Sequence, residues 1–296
     1  MAIEEMAEVP APGPLMAAAA GAMLLPRRPR PAAAPAVELL VRGVTVDKSH
    51  LARYSRVCGF PLSGVLPPTY PHVLAFGVAM RLMTRPDFPF PLPGLVHIAN
   101  HIDQRRPVGA DEALDVSVKA ERFRPHERGY AIDVVTAATV DGAEVWVERS
   151  SYLRRSASSG RPEGRRTQDA SEPPKPTAIW RVGRDVGTAY ARVSGDRNPI
   201  HTSRVGAKLF GFPRPIAHGM WTLARSLAAL TGRLPEAYKV DASFKLPILL
   251  PAAVAFTVTR DPSDGWAFQV LDARTGRPHL IGAVTSETTS LTGRNP

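Results

Sequence analysis

An acid and a histidine, Asp196 and His201, lie five residues apart in the stretch SGDRNPIH (residues 194–201), on either side of the step Asn198-Pro199. Asn tolerates unusual backbone angles and Pro fixes φ, so this step predicts a stiff turn that can aim both side chains at one point. An Asp and a His that converge can move protons onto and off a water molecule. Taken alone, Asp-x-Asn-Pro is more typical of a surface turn with a solvated Asp. The rest of the chain decides between these interpretations.

Gly219 is a candidate for binding a carbonyl oxygen. It follows His218 at the start of a segment with a helical apolar pattern, residues 220–230. A backbone N–H at a helix N-terminus has no partner within the helix, so it can stabilise an oxygen that gains negative charge. The sequence shows no nucleophile elbow, P-loop, dinucleotide fingerprint or metal cluster. Together these features favour proton abstraction next to a carbonyl over acyl or phosphoryl transfer.

Composition limits the classes of protein to which the chain can belong. Of the 296 residues 44% are hydrophobic, and the single cysteine, Cys58, excludes an intrachain disulfide and suits a reducing compartment. The apolar segment 15–25 is shorter than the ~20 residues of a membrane-spanning helix, so we expect no membrane span and a cytoplasmic protein. The net charge of +10 favours anionic partners such as coenzyme A or an acidic acyl carrier protein. Scattered basic residues and the lack of a known nucleic-acid-binding pattern argue against nucleic acid.

Composition also divides the chain into segments. We expect residues 1–36, which are rich in Ala and Pro, to lack a fixed fold apart from a short helix at 15–25. Residues 155–176 are rich in Ser, Gly, Pro and charged residues and are predicted to be a linker. Two blocks remain, 37–154 and 177–296, each long enough for one domain.

The two blocks repeat one another. The frame Tyr-x-Arg-Val-x-Gly occurs at 54–59 and again at 190–195. Two further matches follow in the same order, at 69–72 with 215–218 and at 103–107 with 243–247. The copies differ at the turn, because Phe60 follows the glycine in the first block and the Asp-x-Asn-Pro-x-His motif is missing there. Repeating the fold does not require this motif, so we expect the second block alone to be catalytic.

The apolar patterns after these anchors predict the same order of elements in both blocks. The predicted helices are 73–83 and 220–230, and the predicted strands are 114–123, 130–140, 143–153, 254–259, 267–273 and 280–285. We therefore expect an α+β fold in which an antiparallel sheet wraps around one buried helix, made twice.

Residues 190–201, with the segments IAHGM (216–220) and SFKLP (243–247), resemble the MaoC-like (R)-specific enoyl-thioester hydratases, also called hydratase 2 or 3-hydroxyacyl-thioester dehydratases. Over about residues 15–290 the chain resembles the actinobacterial two-domain version of this family. The resemblance implies a double hot-dog fold, with a non-catalytic N-terminal hot-dog domain and a catalytic C-terminal one. It implies a thioester of coenzyme A or of an acyl carrier protein as the substrate, and no metal or redox cofactor.

The resemblance also assigns residues of the site. Asp196 and His201 match the catalytic dyad, which holds one water molecule. Gly219 matches the glycine whose N–H binds the thioester carbonyl, and Asn198 matches the residue that braces the turn. Asp196 is expected to polarise the water and His201 to handle the proton next to the carbonyl, although the two could exchange these roles.

The remaining candidates have weaker assignments. Ser194 and His218 are expected to support the shape of the site rather than do chemistry. Lys245 could bind coenzyme A phosphates, but an exposed solvated charge is the more common case. Packing or structural roles are expected for Cys58, Tyr54, Tyr190, His72, His97 and His101.

Two other functions stay open from the sequence. A hot-dog acyl-thioester hydrolase would use an acid to release a free thiol, and a non-catalytic protein would bind acyl thioesters without turnover. Association of two double hot-dogs into a homodimer also stays open.

Overall fold

The chain forms an N-terminal segment and two halves, in a computed structural model that describes residues 1–21, 30–156, 175–261 and 265–286. The N-terminal segment contains β1 (Ala2–Met6) and α1 (Pro12–Gly21). The first half contains β2 (Val37–Val44), α2 (Lys48–Cys58), α3 (Tyr70–Met83), β3 (Leu95–Gln104), β4 (Leu114–His126), β5 (Gly129–Val140) and β6 (Ala143–Arg155). The second half contains β7 (Ala178–Val182), α4 (Val186–Ser194), α5 (Pro199–Thr202), α6 (Arg204–Leu209), α7 (Gly219–Ala228), β8 (Tyr238–Phe244), β9 (Ala252–Arg260), β10 (Trp266–Asp272) and β11 (Pro278–Ser286). All six predicted strands and both predicted helices are present, with ends shifted by up to three residues.

The strands named above form one sheet in the order β1-β2-β4-β5-β6-β3-β8-β11-β10-β9-β7. The two halves join where β3 pairs antiparallel with β8, from Ala99 opposite Ser243 to Gln104 opposite Tyr238. Each half thereby covers an edge strand of the other, which would otherwise expose unpaired backbone groups. The prediction of a double hot-dog α+β fold is confirmed, and its two sheets are continuous in hydrogen bonding.

The central helices are α3 in the first half and α7 in the second. Helix α3 is mostly apolar, with Phe76 and Leu82 among its buried residues, and it packs on β2, β4 and β5. A helix without a polar face is stable only when the sheet surrounds it. The strands supply that cover by alternation, since Leu114, Val116 and Val118 of β4 all point into the core.

The N-terminal segment is folded over its described residues, 1–21 and 30–36. The short helix predicted at 15–25 corresponds to α1, which begins at Pro12 and is described to Gly21, whereas strand β1 corrects the prediction that the rest of residues 1–36 has no fixed fold. Strand β1 pairs in parallel with β2, and helix α1 packs on α3. The backbone of Pro10 crosses α3 at Gly77, where a Cβ would collide with the Pro10 carbonyl oxygen. A short strand on an existing edge and a helix on an apolar surface depend on tertiary contacts, which composition does not report. No helix in the described ranges is long and apolar enough to cross a membrane.

The repeat predicted from the sequence is real, but one of its anchors was aligned wrongly. Helices α2 and α4 each end at a glycine in the left-handed conformation, Gly59 and Gly195 with φ of 82° and 78°, which explains the shared Tyr-x-Arg-Val-x-Gly frame. The match of His72 with His218 is wrong, because His218 precedes α7 as its N-cap whereas Thr69 holds that position before α3. The predicted linker lies mostly outside the described residues.

Candidate active site

The turn after α4 is held by short-range hydrogen bonds. Helix α4 ends at Gly195, whose positive φ glycine adopts without strain. The Asp196 N–H donates to Ser194 Oγ (3.2 Å), and the Asn198 N–H donates to Asp196 Oδ1 (3.1 Å). Asn198 Oδ1 accepts from the Ile200 N–H (3.3 Å) and so caps α5. These bonds hold the Asp196 carboxylate in one orientation.

His201, on α5, is buried and fixed in one tautomer. Its Nδ1 lies 2.8 Å from the carbonyl oxygen of Ile216. A carbonyl oxygen only accepts, so Nδ1 carries the proton and Nε2 keeps its lone pair. Burial lowers the pKa of His201 by more than the Asp196 charge and the hydrogen bond to Ile216 raise it. His201 Nε2 is therefore a neutral base at neutral pH.

His218 ties the turn to α7. It is the N-cap residue of α7, and its Nε2 donates to the backbone carbonyl of Asp196 (3.0 Å). Its ring stacks on the ring of His201, with centroids 3.7 Å apart and an interplanar angle of 24°. Burial, followed by the neighbouring His201, lowers the pKa of His218 to about 3. A neutral ring that donates to a backbone carbonyl positions its neighbours, which is consistent with the supporting role predicted for His218.

Gly219 is the first residue of α7, so its N–H is among the donors that the helix leaves unpaired. Because His218 contacts both Asp196 and His201, the N–H of the next residue borders the same space. The Phe244 ring lies against Gly219, where a Cβ would be 3.0 Å from Phe244 Cε1. The absence of a side chain at Gly219 thus lets Phe244 pack closely beside the N–H.

Asp196 is the negative charge of the site, and 28% of its side-chain surface is exposed. Burial acts to raise its pKa, but His218, His201 and the hydrogen bond from Asn198 together outweigh burial, so the pKa lies below its ordinary value. At neutral pH the site therefore combines a carboxylate with a neutral imidazole. This pair can hold a water molecule or a hydroxyl group by accepting its hydrogen bonds.

Asp196, His201 and His218 each place one potential ligand atom within 4.8 Å of the others, which makes them a candidate metal site. The donor set fits a metal poorly. His201 Nδ1 and His218 Nε2 donate to carbonyl oxygens and carry protons, and His218 Nδ1 is buried. Among these three residues only the Asp196 carboxylate and His201 Nε2 are open, whereas catalytic zinc takes three protein ligands. The arrangement favours proton transfer.

The first half forms the wall opposite the catalytic turn. The ring of His97, on β3, lies 4.8 Å from the ring of Phe244, which in turn packs on Gly219. Phe76, on α3, has its Cδ1 3.5 Å from the place that a Cβ on Gly195 would occupy. The site therefore lies between the two halves, and the first half contributes part of its lining.

That wall contains polar residues that the sequence analysis missed. His72 Nδ1 lies 2.7 Å from Glu148 Oε2, and the Asn100 amide donates to Glu148 Oε1 (2.6 Å). His72 was predicted to be structural, and the other two residues were not predicted at all. One signal was available: Glu148 is two residues from Trp146 on a strand, so both side chains point into the core.

Comparisons with known proteins identify the family of the chain. Residues 166–276 match the family described as MaoC like domain. The 3-hydroxyacyl-thioester dehydratase X of Mycobacterium tuberculosis (strain ATCC 25618 / H37Rv) is 39% identical over 91% of this chain and 96% of its own length. The chain belongs to the MaoC-like dehydratase family.

Solved structures show the MaoC-like fold along most of the chain. The crystal structure of HtdX of M. tuberculosis gives a TM-score of 0.75 at 36% identity and covers 84% of this chain and 99% of that one. A MaoC-like dehydratase from Phytophthora capsici, 19% identical, gives a TM-score of 0.68 over 88% of this chain and 97% of its own, which shows the fold alone.

The remaining predicted residues have mixed outcomes. Cys58 is buried and free, and Tyr54 and Tyr190 are buried, as predicted. Lys245 is exposed and directly follows Phe244, so its contact with a coenzyme A phosphate stays a prediction. His101 pairs at 2.8 Å with Asp241, whose side chain is mostly exposed.

Proposed function

We propose that the chain catalyses the reversible dehydration of (R)-3-hydroxyacyl thioesters to trans-2-enoyl thioesters. The observation that carries this proposal is the convergence of an ionised Asp196, a neutral His201 Nε2 and the unpaired Gly219 N–H at the start of one buried helix. The name of the 39% identical relative, a 3-hydroxyacyl-thioester dehydratase, supports a hydro-lyase reaction of this kind.

The Gly219 N–H acts on the carbonyl of the thioester. A proton on the carbon next to that carbonyl becomes removable once the developing enolate oxygen is stabilised by a hydrogen bond. An N–H at a helix N-terminus also carries the positive end of the helix dipole, which favours this negative charge. The substrate is therefore oriented with its carbonyl at Gly219 and its α- and β-carbons towards the dyad.

The dyad then moves one proton. His201 Nε2 takes the α-proton, while the Asp196 carboxylate accepts a hydrogen bond from the 3-hydroxyl and orients it. As the C–O bond breaks, His201 returns its proton to the departing oxygen, so one water molecule leaves and both residues recover their starting states. Because both groups act from one face of the substrate, the elimination is syn. In the reverse direction the dyad activates water for attack on the enoyl thioester.

The charge of the chain supports an anionic carrier for the acyl group. A net charge of +10 favours coenzyme A, which carries phosphates, or an acidic acyl carrier protein. We propose that the chemistry uses no metal or redox cofactor, because proton transfer and carbonyl polarisation are supplied by the chain itself. We also propose that the protein works in the cytoplasm, as the single cysteine suggests.

Hydration of enoyl-CoA substrates of several chain lengths tests the proposal, followed by loss of the enoyl-thioester absorbance and chiral analysis of the product. We expect hydration by the wild-type protein and a loss of at least about 100-fold in kcat for Asp196→Asn and for His201→Ala. Asp241→Asn, which removes a mostly exposed carboxylate, is the matched control and should keep wild-type activity.

Three results would contradict the proposal. If no hydration is observed with any chain length or carrier, the hydratase assignment is wrong. Release of free thiol instead would indicate a thioesterase. Nearly full activity of Asp196→Asn or His201→Ala removes the site assignment. A predominantly (S)-3-hydroxyacyl product removes the stereochemical one.

A further inference from the structure

The first half contains a charged cluster that the fold does not require. Glu148 is buried, with 1% of its side-chain surface exposed, and it accepts hydrogen bonds from His72 and Asn100. Burying two charges costs desolvation free energy that their mutual attraction often fails to recover. Such pairs inside a cleft are therefore candidates for functional groups.

The internal repeat shows that an uncharged residue can occupy the position that corresponds to Glu148. Glu148 on β6 pairs with Ile102 on β3, and the corresponding pair in the second half is Gly282 on β11 with Ala242 on β8. The second half thus builds the same part of its sheet with no charged residue. The charge in the first half needs an explanation other than the architecture.

The cluster faces the catalytic turn. The His72 ring lies 6.1 Å from the Phe76 ring, and Phe76 packs against the position of a Cβ on Gly195, the residue before Asp196. On the other side, His97 contacts Phe244. The pair of His72 and Glu148 therefore belongs to the wall that lies opposite Asp196 and His201.

His72 is the histidine of this environment whose pKa is raised. Burial lowers the pKa of His72, but the charge and hydrogen bond of Glu148 and then the charge of Asp196 outweigh burial, so the pKa is raised. The three other histidines around the site, His97, His201 and His218, all have lowered pKa values, and burial is the largest cause for each.

We propose that His72, held as an imidazolium by Glu148, is a positioning residue that keeps Asp196 ionised from the opposite wall of the site. This inference rests on the proposed function, in which the Asp196 carboxylate must accept a hydrogen bond from the 3-hydroxyl or from water. When a substrate fills the site and displaces water, solvent no longer stabilises the carboxylate. A fixed cation across the site then does so without needing to reorganise.

Other charged or titratable groups face the two partners and must be considered in any pH experiment. Around His72 they are Glu148 from β6, His97 from β3 and Asp196 from the turn, while Tyr152 from β6 and Tyr190 from α4 face Asp196 and Glu148. His201 and His218 face Asp196 from α5 and α7, and both remain neutral at neutral pH.

The pH profile of kcat/KM for hydration tests the proposal, with His72→Gln compared with wild type. Glutamine can keep a hydrogen bond to Glu148 but carries no charge. Loss of the cation raises the pKa of Asp196 and of the neighbouring His201, the two groups whose protonation ends activity at low pH, so we expect the acid limb of the profile to move to higher pH by up to about one unit. His101→Gln, which removes the histidine of the His101–Asp241 pair, is the matched control and should leave the limb in place.

A second measurement does not depend on activity. The titration midpoint of the His72 imidazole, followed by NMR, should fall in Asp196→Asn and fall further in Glu148→Gln, because each change removes a neighbouring negative charge. Asp241→Asn should leave it unchanged. If wild type hydrates no enoyl thioester, the proposed function fails, and the titration still decides whether His72 and Asp196 are coupled.

Two results would overturn the inference. The first is a His72→Gln variant whose activity falls equally at every pH with an unshifted acid limb, which indicates a role in packing alone. The second is a His72 midpoint that is the same in wild type and in Asp196→Asn. If His72→Gln does not fold, the NMR comparison of these two proteins decides the question.

Discussion

The substitution Gly195→Ala tests whether the backbone of the turn positions Asp196 for activity. Gly195 and Gly59 both end a helix in the left-handed conformation, with φ of 78° and 82°. The same substitution at Gly59, in the half without the dyad, is therefore a matched control for backbone strain. The two sites differ in what the new methyl group would meet.

The expected magnitudes follow from these neighbours. Left-handed backbone costs an alanine about 1–2 kcal/mol at either position. At Gly195 the Cβ would lie 2.8 Å from Pro12 Cγ, about 0.7 Å closer than the ~3.5 Å of an optimal carbon contact. Pro12 is a rigid ring, so the turn itself must move. At Gly59 the Cβ would meet the end of the Arg225 side chain, which can rotate away. A shift near 1 Å in a catalytic group can cost about 100-fold in rate.

Thermal unfolding and hydration kinetics on both variants check this reasoning. We expect both to lower the Tm by a few degrees, since about 1 kcal/mol moves the Tm of a large domain by that amount. We expect Gly59→Ala to keep nearly wild-type kcat and Gly195→Ala to lose between about 10-fold and 100-fold. Equal kcat values for the two variants would refute the idea that a collision of the new methyl group with Pro12 moves the turn and its Asp196 side chain.

Three further predictions concern the site and the wall opposite it. Gly219→Ala should lower kcat by about 100-fold, because the new Cβ displaces Phe244 beside the oxyanion donor; steady-state kinetics checks this, with KM separating lost binding from lost catalysis. Because the pKa of His201 is lowered, the ring should stay neutral and the enzyme active at pH values somewhat below the ordinary histidine pKa of 6.5, and activity should disappear as a further fall in pH protonates the ring. A pH–rate profile with its acid limb at or above 6.5 would contradict the lowered pKa. Glu148→Ala should destabilise the fold by about 3 kcal/mol, because it leaves His72 unpaired in the interior, whereas Asp241→Ala at the exposed pair should cost less than about 1 kcal/mol; urea unfolding measures both.

The turn that carries Asp196 could be predicted from the sequence because its geometry is local. Gly195, Asn198 and the proline after it restrict the backbone by their own covalent structure, and the hydrogen bonds that orient Asp196 span two residues each. The order of helices and strands could be predicted for a similar reason, since alternation along β4 is written in consecutive residues. The first block then served as an internal comparison, because it keeps the Tyr-x-Arg-Val-x-Gly frame and lacks the Asp-x-Asn-Pro-x-His motif.

The N-terminal segment could not be predicted in the same way. Strand β1 depends on the edge that β2 offers it, and although a short helix was predicted at 15–25, only the structure shows that α1 packs on α3. The false match between His72 and His218 has a related cause. Two histidines before apolar helices look alike in sequence, but one is inside its helix and the other is the N-cap.

The sequence by itself determined the turn that carries Asp196 and His201, the helix start at Gly219 and the two-fold repeat, because short-range backbone chemistry and periodic burial control all three. Only the tertiary structure decided which residues lie on the opposite side of the site. Glu148 and His72 are 76 residues apart, and their meeting near Asp196 depends on how β6 and α3 pack and on how β3 joins β8 across the two halves. Long-range packing of this kind brings these two side chains near Asp196, and no local pattern encodes it.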